Sequence, residues 1–598
     1  MTTTQTLPPG DDGTDTDLHA RFQQWTRLTG RAQQLIAEFW LKNAKASSDL
    51  PADPLGLLPT WTQLTTNLMK NPDKLAEAQA QFWQNSVQLW QAFATSLRGD
   101  EAAPVVASRP GDKRFSAKEW QEHAVFDFIR QSYLLAANFL FETVASVEGL
   151  DARTKAKAEF YTRQFIDAMA PTNFLLTNPQ ALKVTVEEQG KNLIRGLENL
   201  LQDIEQGRIS MTDEKAFSVG GNVAVTPGKV VFENRIFQLI QYSPTTETTY
   251  ETPLLICPPW INKFYILDLG PEKSFVKWAL DQGLTVFMVS WINPDSSYRD
   301  TSFEDYMLDG EVKALEVVAE ICNVKSINVI GYCSAGTLLS ATLAHLHAKR
   351  RQKLVKTATF FTAQVDFTEA GDLCVFVDEG QLELVDRLSA NTGFLDSSYM
   401  ATTFNLLRSN DLIWSYVVNN YLLGRDPFPF DLLYWNSDST RMSRAMHLFY
   451  LEKLYHQNLL AQPGGITLGD TPIDLTKVRT PTYIQAGRED HIAPPRSVYK
   501  MTRLFSGPMR FMLAGSGHIA GVVNPPAARK YQHWTNDQLP ETLDEFIAGA
   551  TEHPGSWWPD WIGWLAPQSG KQVPARQPGG HPGYPPIEDA PGSYVKAK

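Results

Sequence analysis

Six apolar, β-rich runs, each followed by a stretch of helical texture, constrain this chain more than any other feature. They are PLLICPP, LTVFMVSW, SINVIG, TATFFTAQVDF, TPTYIQAG and MRFMLAG, all beyond about Gly220. Runs of this kind show little polar alternation, so they are buried on both faces. Strands of that type alternating with helices require a mostly parallel sheet with helices on both sides. Just upstream, NVAVTPGKVVFENRIFQLIQY reads as short strands around a Pro-Gly turn. Between Asp366 and Val478 no core strand is evident, and an insertion at that point sits at the carboxyl end of the sheet, where caps grow. The sequence thus predicts a helical N-terminal domain over residues 21–210 and an α/β domain over residues 211–598. Within the latter, residues from about 367 to 477 form a cap, and a Pro/Gly-rich tail from about 567 to 598 covers the surface. Residues 1–20 are polar and expected to be disordered.

The N-terminal domain carries amphipathic stripes. Trp25, Leu28, Ala32, Leu35 and Phe39 fall on one helical face, as do Trp83, Val87 and Trp90, and FDFIRQSYLLAANFLFETVASV is a third long helix. These faces either pack on their own domain or dock on something apolar outside it. With 54 basic and 66 acidic residues the net charge is −12, which argues against a protein that binds nucleic acid by neutralising phosphates. Four cysteines are too few for a disulfide scaffold and suit a reducing cytosol. No run of about eighteen apolar residues predicts a membrane span, and the first residues do not read as a signal peptide.

The strongest local signal is SINVIGYCSAGTLLSATLAHLHAK, a strand that turns through small residues into a helix. This is the layout of a nucleophile elbow, whose turn tolerates only small residues two before and two after the nucleophile. With Cys333 as nucleophile those positions are Gly331 and Ala335. With Ser334 they are Tyr332 and Gly336, and the tyrosine would crowd the turn. The register favours Cys333, the alternative being an ordinary βα turn with a buried thiol. Asp490 follows the run TPTYIQAG, and His518 follows MRFMLAG. Nucleophile, acid and histidine in that order are the order of the α/β-hydrolase fold. Asp366, after TATFFTAQV, is a rival acid, whereas His491 beside Asp490 points the other way on an extended segment and reads as structural. GSGHIAG lacks the lysine of a phosphate-binding loop, and no spacing suggests a metal site. An acyl-transfer site also needs an oxyanion hole. Its first donor is the N–H of Ser334, and its second comes from the loop after PLLICPP, near Trp260, with Ile261 the candidate.

These blocks together resemble the polyhydroxyalkanoate synthases, polyester polymerases of bacterial storage granules, most closely the single-subunit class I enzymes. The likeness runs from about Phe115 onward. It is carried by RFSAKEWQEHAVFDFIRQSYLL, DAMAPTNFLLTNPQAL, NVAVTPGKVVFENRIFQLIQY, INKFYILDLGPEKSFVKWALDQGLTVFMVSW, LLRSNDLIW, DLLYWNSDST, REDHIAPP and GSGHIAGVVNPP. Three positions depart from the family pattern: Ala335 replaces a common glycine, Trp260 a common cysteine and Ile292 a common arginine. The resemblance implies that Cys333 is acylated, His518 is its general base and Asp490 is the third member, with Trp435 in the cap. It also implies polymerisation of (R)-3-hydroxyacyl-CoA, short-chain and most simply 3-hydroxybutyryl-CoA, with release of CoA. No cofactor is implied beyond the CoA that the substrate carries. The partners implied are the growing polyester, a second copy in a homodimer and granule-coat proteins (phasins), at the granule surface in the cytoplasm. A hydrolase of the same fold, an intracellular depolymerase or thioesterase, is the alternative reading, and a non-catalytic granule scaffold a third.

Overall fold

In the computed structural model, which describes Arg31, Asp53, residues 55–109 and residues 111–598, the six apolar runs form the centre of one large sheet. Its strands are β1 (Gly228–Glu233), β2 (Phe237–Tyr242), β3 (Leu254–Cys257), β4 (Val286–Trp291), β5 (Ile327–Tyr332) and β6 (Val355–Phe361). They continue with β7 (Thr482–Gly487), β8 (Met509–Ala514), β9 (Gln532–Thr535), β10 (Thr551–Pro554) and β11 (Glu588–Asp589). The spatial order is β10-β9-β8-β7-β6-β5-β3-β4-β2-β1-β11. The stretch from β4 to β8 is parallel throughout, and antiparallel strands extend it at both ends. Every residue of β3, β4, β5 and β7 is buried, which is why these segments show no polar alternation. Leu255, Val329, Phe360, Ile484 and Phe511 enter one apolar layer, and their neighbours Ile256, Ile330, Phe361, Tyr483 and Met512 enter the other.

The Pro-Gly pair expected to turn the first hairpin does not do so. Gly228 opens β1, where a Cβ would lie 2.7 Å from the Gln241 carbonyl oxygen, so glycine there serves close approach. The chain reverses instead at Asn234, whose Oδ1 accepts the N–H groups of Ile236 (2.8 Å) and Phe237 (3.0 Å). The tail beyond residue 567 is built into the fold rather than laid over it. Gln572–Pro574 pairs with Thr248–Tyr250, and β11 extends the sheet edge at β1.

The chain divides into two compact units with a boundary between Met211 and Thr212. The α/β unit holds Thr212–Leu407 and Pro429–Lys598, and the helical unit holds Leu58–Met211 together with Arg408–Phe428. The insertion therefore does not act as one body, because its middle belongs with the N-terminal helices. There Tyr421 donates its hydroxyl hydrogen to Asp203 (2.7 Å), and Asn192 donates to the Leu422 carbonyl (2.8 Å). Gly196 permits the contact, since a Cβ would lie 1.9 Å from the Tyr421 carbonyl oxygen.

Helix α1 (Pro72–Leu97) packs on helix α2 (Ala124–Ala145) through Phe82 with Phe139 and Phe93 with Phe128. Its stripe of Trp83, Val87 and Trp90 nonetheless stays more than half exposed. The stripe from Trp25 to Phe39 and the expected disorder of residues 1–20 lie outside the described residues. Among the described residues no helix is long and apolar enough to cross a membrane.

Candidate active site

The site is assembled where β5, β7 and β8 end. β5 runs into helix α3 (Ser334–Ala348) with a single residue at the corner, Cys333. Its backbone has φ +53° and ψ −123°, a conformation that costs a side-chain-bearing residue free energy and that the fold must impose. The Cys333 N–H donates to the Phe361 carbonyl of β6 (2.9 Å), which ties the corner to the next strand. Small residues are required where the strand and helix cross. A Cβ on Gly331 would lie 2.6 Å from the Gly336 Cα, and one on Gly336 would lie 2.4 Å from the Ala363 Cβ. Ala335 is fully buried at this crossing, so its methyl group is accommodated.

Asp490 stands in the turn after β7, and its carboxylate is wholly buried. Oδ1 accepts the N–H groups of Ile492 (2.8 Å) and Ala493 (2.9 Å), while Oδ2 lies 2.7 Å from Nδ1 of His518. One oxygen is thus fixed by the backbone and the other holds the ring. His518 follows β8, and its side chain is 10% exposed. Burial disfavours its charge, but the Asp490 carboxylate and the Cys333 thiol prevail and raise its pKa well above the ordinary histidine value. Cys333 is near enough to act on the charge of the ring, so thiol, imidazole and carboxylate are neighbours. The structure thus brings together Cys333, His518 and Asp490.

The rival acid is elsewhere engaged. Asp366 Oδ1 accepts the Thr368 N–H of its own turn (2.9 Å), receives a bond from Asn458 (3.3 Å) and sits 3.7 Å from Lys500. Ser334 is the first residue of α3, where an N–H has no acceptor within its own helix. Its hydroxyl is buried and meets no hydrogen-bond partner among the described residues. Ile261 is held by its carbonyl, which accepts the Thr440 N–H (3.3 Å). Trp260 is buried among Trp291, Tyr306 and Tyr450.

Two tyrosines escaped the sequence reading as parts of the site. Tyr332 is buried with its ring 5.9 Å from that of His518, and its hydroxyl donates to the His518 carbonyl (3.4 Å). Tyr450 of the insertion has its hydroxyl 3.4 Å from Thr337 Oγ1. Burial and the nearby Cys333 both disfavour ionisation of that phenol. Tyr332 adjoins Cys333 in sequence and could have been found that way, but nothing local marks Tyr450. Among the described residues no group of three or more His, Cys, Asp or Glu could hold a metal ion.

A thiol at a strained strand-to-helix corner, near an imidazole that pairs with a buried carboxylate, defines a cysteine-bearing site on an α/β-hydrolase fold. Residues 252–525 match the family described as alpha/beta hydrolase fold, and residues 111–279 match the family described as Poly-beta-hydroxybutyrate polymerase (PhaC) N-terminus. The chain is 47% identical over 594 residues to a poly(3-hydroxyalkanoate) polymerase of Methylorubrum extorquens, covering 96% of this chain and 97% of that one. A poly(3-hydroxyalkanoate) polymerase subunit PhaC of Rhizobium meliloti is 45% identical, covering 95% of this chain and 94% of its own length. Its counterpart in Cupriavidus necator is also 45% identical, covering 88% and 89%. The chain belongs to the poly(3-hydroxyalkanoate) polymerase family: a helical N-terminal domain followed by an α/β-hydrolase domain with helical insertions.

Proposed function

We propose that this acyltransferase polymerises (R)-3-hydroxyacyl-CoA, 3-hydroxybutyryl-CoA being the simplest substrate, with Cys333 as nucleophile, His518 as general base and Asp490 as orienter. The observation that carries the reading is the 2.7 Å pair between His518 and Asp490, with Cys333 at the elbow facing the same ring. In the first half-reaction the Cys333 proton passes to His518 and the sulfur attacks the thioester carbonyl. The bond from carbon to CoA sulfur breaks, CoA leaves with the proton that His518 returns, and an acyl thioester remains on Cys333. In the second, His518 takes the proton of a chain-end hydroxyl, whose oxygen attacks the Cys333-bound carbonyl. The C–S bond breaks, the proton goes to the sulfur, and an oxoester has formed.

A thiol suits this work. Transfer from one sulfur to another conserves the activation of the acyl group, so the later step to oxygen runs downhill. Serine would form an oxoester at the first step and leave no such fall for the second. During both attacks the N–H groups of Ser334 and Ile261 stabilise the oxyanion in this reading. Water competes with the chain-end hydroxyl, and the buried carboxylate and nearly buried ring of the pair favour its exclusion.

The family likeness extends the proposal to a homodimer working at the surface of polyester granules, with granule-coat proteins as partners. The exposed Trp83, Val87 and Trp90 are the apolar surface that supports such docking. The test of the chemistry uses purified protein and 3-hydroxybutyryl-CoA, reading free thiol and insoluble polyester. Cys333→Ala is expected to abolish both and Ser334→Ala to keep both. The reverse result overturns the assignment, and soluble hydroxy acid in place of polymer would mark a hydrolase.

A further inference from the structure

Lys263 is a charged side chain with only 3% exposure, two residues beyond Ile261 in the loop that follows β3. Its ammonium donates to the carbonyls of Val595 (2.9 Å) and Ala597 (2.6 Å), more than three hundred residues later in the chain. The Lys263 carbonyl in turn accepts the indole N–H of Trp435 (2.7 Å). Asp438 closes the group: one oxygen accepts the Tyr265 hydroxyl (2.9 Å) and the other meets the Lys598 ammonium (2.8 Å). Arg441 donates to the main-chain oxygen of Lys598, and its backbone N–H donates to Asn293 (2.9 Å). Three distant segments, 260–265, 435–441 and 595–598, thus meet around one buried ammonium.

This loop is restrained almost wholly through its carbonyls. Trp291 Nε1 holds that of Pro258 (2.7 Å), the Thr440 hydroxyl that of Trp260 (2.6 Å) and the Thr440 N–H that of Ile261 (3.3 Å). Among the described residues the Ile261 N–H has no protein acceptor. Among the described residues, Lys263 is the one side chain of residues 258–263 that hydrogen-bonds outside the loop, while Trp260 anchors it by packing. Burying that charge is costly: desolvation lowers the Lys263 pKa to about 8, with Lys598 and Arg441 adding to the fall and Asp438 opposing it. A core-filling apolar residue would avoid this cost, so the placement of the ammonium asks for a reason beyond packing.

We infer that Lys263 is a positioning residue for acyl transfer, pinning the 260–263 loop to the carbonyls of Val595 and Ala597 so that the Ile261 N–H is held as the second oxyanion donor. This rests on the reading of Cys333 as the acylated nucleophile and of Ile261 as a donor. Displacing such a donor weakens stabilisation of the tetrahedral intermediate but leaves the thiol and its imidazole where they are.

The experiment uses the full chain with Lys263→Met and Lys263→Arg, and two readouts. One is single-turnover CoA release from 3-hydroxybutyryl-CoA. The other is alkylation of Cys333 by iodoacetamide, a displacement at saturated carbon that needs no oxyanion hole. Lys263→Met is expected to slow acylation by about 10- to 100-fold with KM little changed, and alkylation within about twofold of wild type. Lys263→Arg, which can still donate to both carbonyls, is expected to recover most of the loss. Should Lys263→Met fail to fold, a chain ending at Gly592, which lacks both acceptor carbonyls, is expected to show the same split. Unchanged acylation, or equal losses in acylation and alkylation, would overturn the inference. A wild-type Cys333 that resists alkylation would instead overturn the active-site reading beneath it.

Discussion

β6 and β7 lie side by side in the sheet, and each is followed by a turn that carries an aspartate, Asp366 after one and Asp490 after the other. The two carboxylates are alike in sequence setting and unlike in what they have left to offer. Asp366 meets its own turn, Asn458 and, at 3.7 Å, Lys500 all through Oδ1, in a side chain 19% exposed. Asp490 likewise caps its own turn with Oδ1, but its side chain is fully buried and its second oxygen is delivered to His518. In the proposed mechanism, Asp490 can orient His518 because the fold fixes one of its oxygens and buries the other. Being an acid at a strand end is not sufficient.

The largest break in that comparison is Asp490→Asn. The amide still accepts the two backbone N–H groups but cannot hold the imidazolium as an anion does. CoA release is expected to fall by about 10³- to 10⁴-fold, as when the acid of a hydrolase triad is neutralised. The substitution also removes the foremost of the influences that raise the His518 pKa, while burial continues to lower it. The His518 limb of the pH–rate profile is therefore expected to move to lower pH. Stability carries the same sign. The raised pKa in wild type contributes stability that is full below the unfolded histidine value and fades as the pH rises through the folded one. Melting temperatures at two pH values, above and below the ordinary histidine range, are expected to differ less in Asp490→Asn. A variant that keeps wild-type turnover and an unmoved limb would show that the aspartate does not orient the ring.

A second contrast sharpens the first, at the ends of the adjacent strands β3 and β5. Cys257 closes β3 and is fully buried, and burial, with Glu311 nearby, pushes its thiol pKa well above the ordinary value. Cys333 follows β5 and faces an imidazole. Brief treatment of the native protein with iodoacetamide at neutral pH is expected to label Cys333 at least about tenfold faster than Cys257. Peptide mass spectrometry reads the ratio, and equal labelling would mean that the elbow confers no special reactivity.

These contrasts mark how far the sequence alone could go. The six parallel strands were legible because double-sided burial leaves continuous apolar runs, and the elbow because a strand crossing a helix demands small residues, here Gly331 and Ala335. Three local signals misled or fell short. Pro227-Gly228 carries the composition of a turn, yet Gly228 answers to the Gln241 carbonyl across a strand pair, a contact no local rule contains. The middle of the insertion, Arg408–Phe428, has helical texture that says nothing of which unit it joins. Nothing in INKFY marks Lys263, since its acceptors are main-chain carbonyls, groups that every residue carries and that no pattern distinguishes. Trp83 and Trp90 were legible as a stripe, but periodicity fixes only which residues share a face, not whether that face is covered.

The smallest expected effect is the most exacting test of the comparison between the two aspartates. Asp366→Asn keeps an oxygen that can accept the Thr368 N–H and removes only the charge facing Lys500. Lys500 is 31% exposed and also pairs with Glu369 at 2.8 Å, so solvent and a second carboxylate screen the loss. The expected cost is within about 1 kcal/mol of stability, with CoA release within about twofold of wild type. Chemical denaturation and the CoA-release assay on the same preparation measure both. A fall in activity approaching that of Asp490→Asn, without a matching loss of stability, would mean that Asp366 reaches the reacting groups in a conformation other than this one. The division of labour between the two strand ends would then be a property of one state of the enzyme and not of its fold.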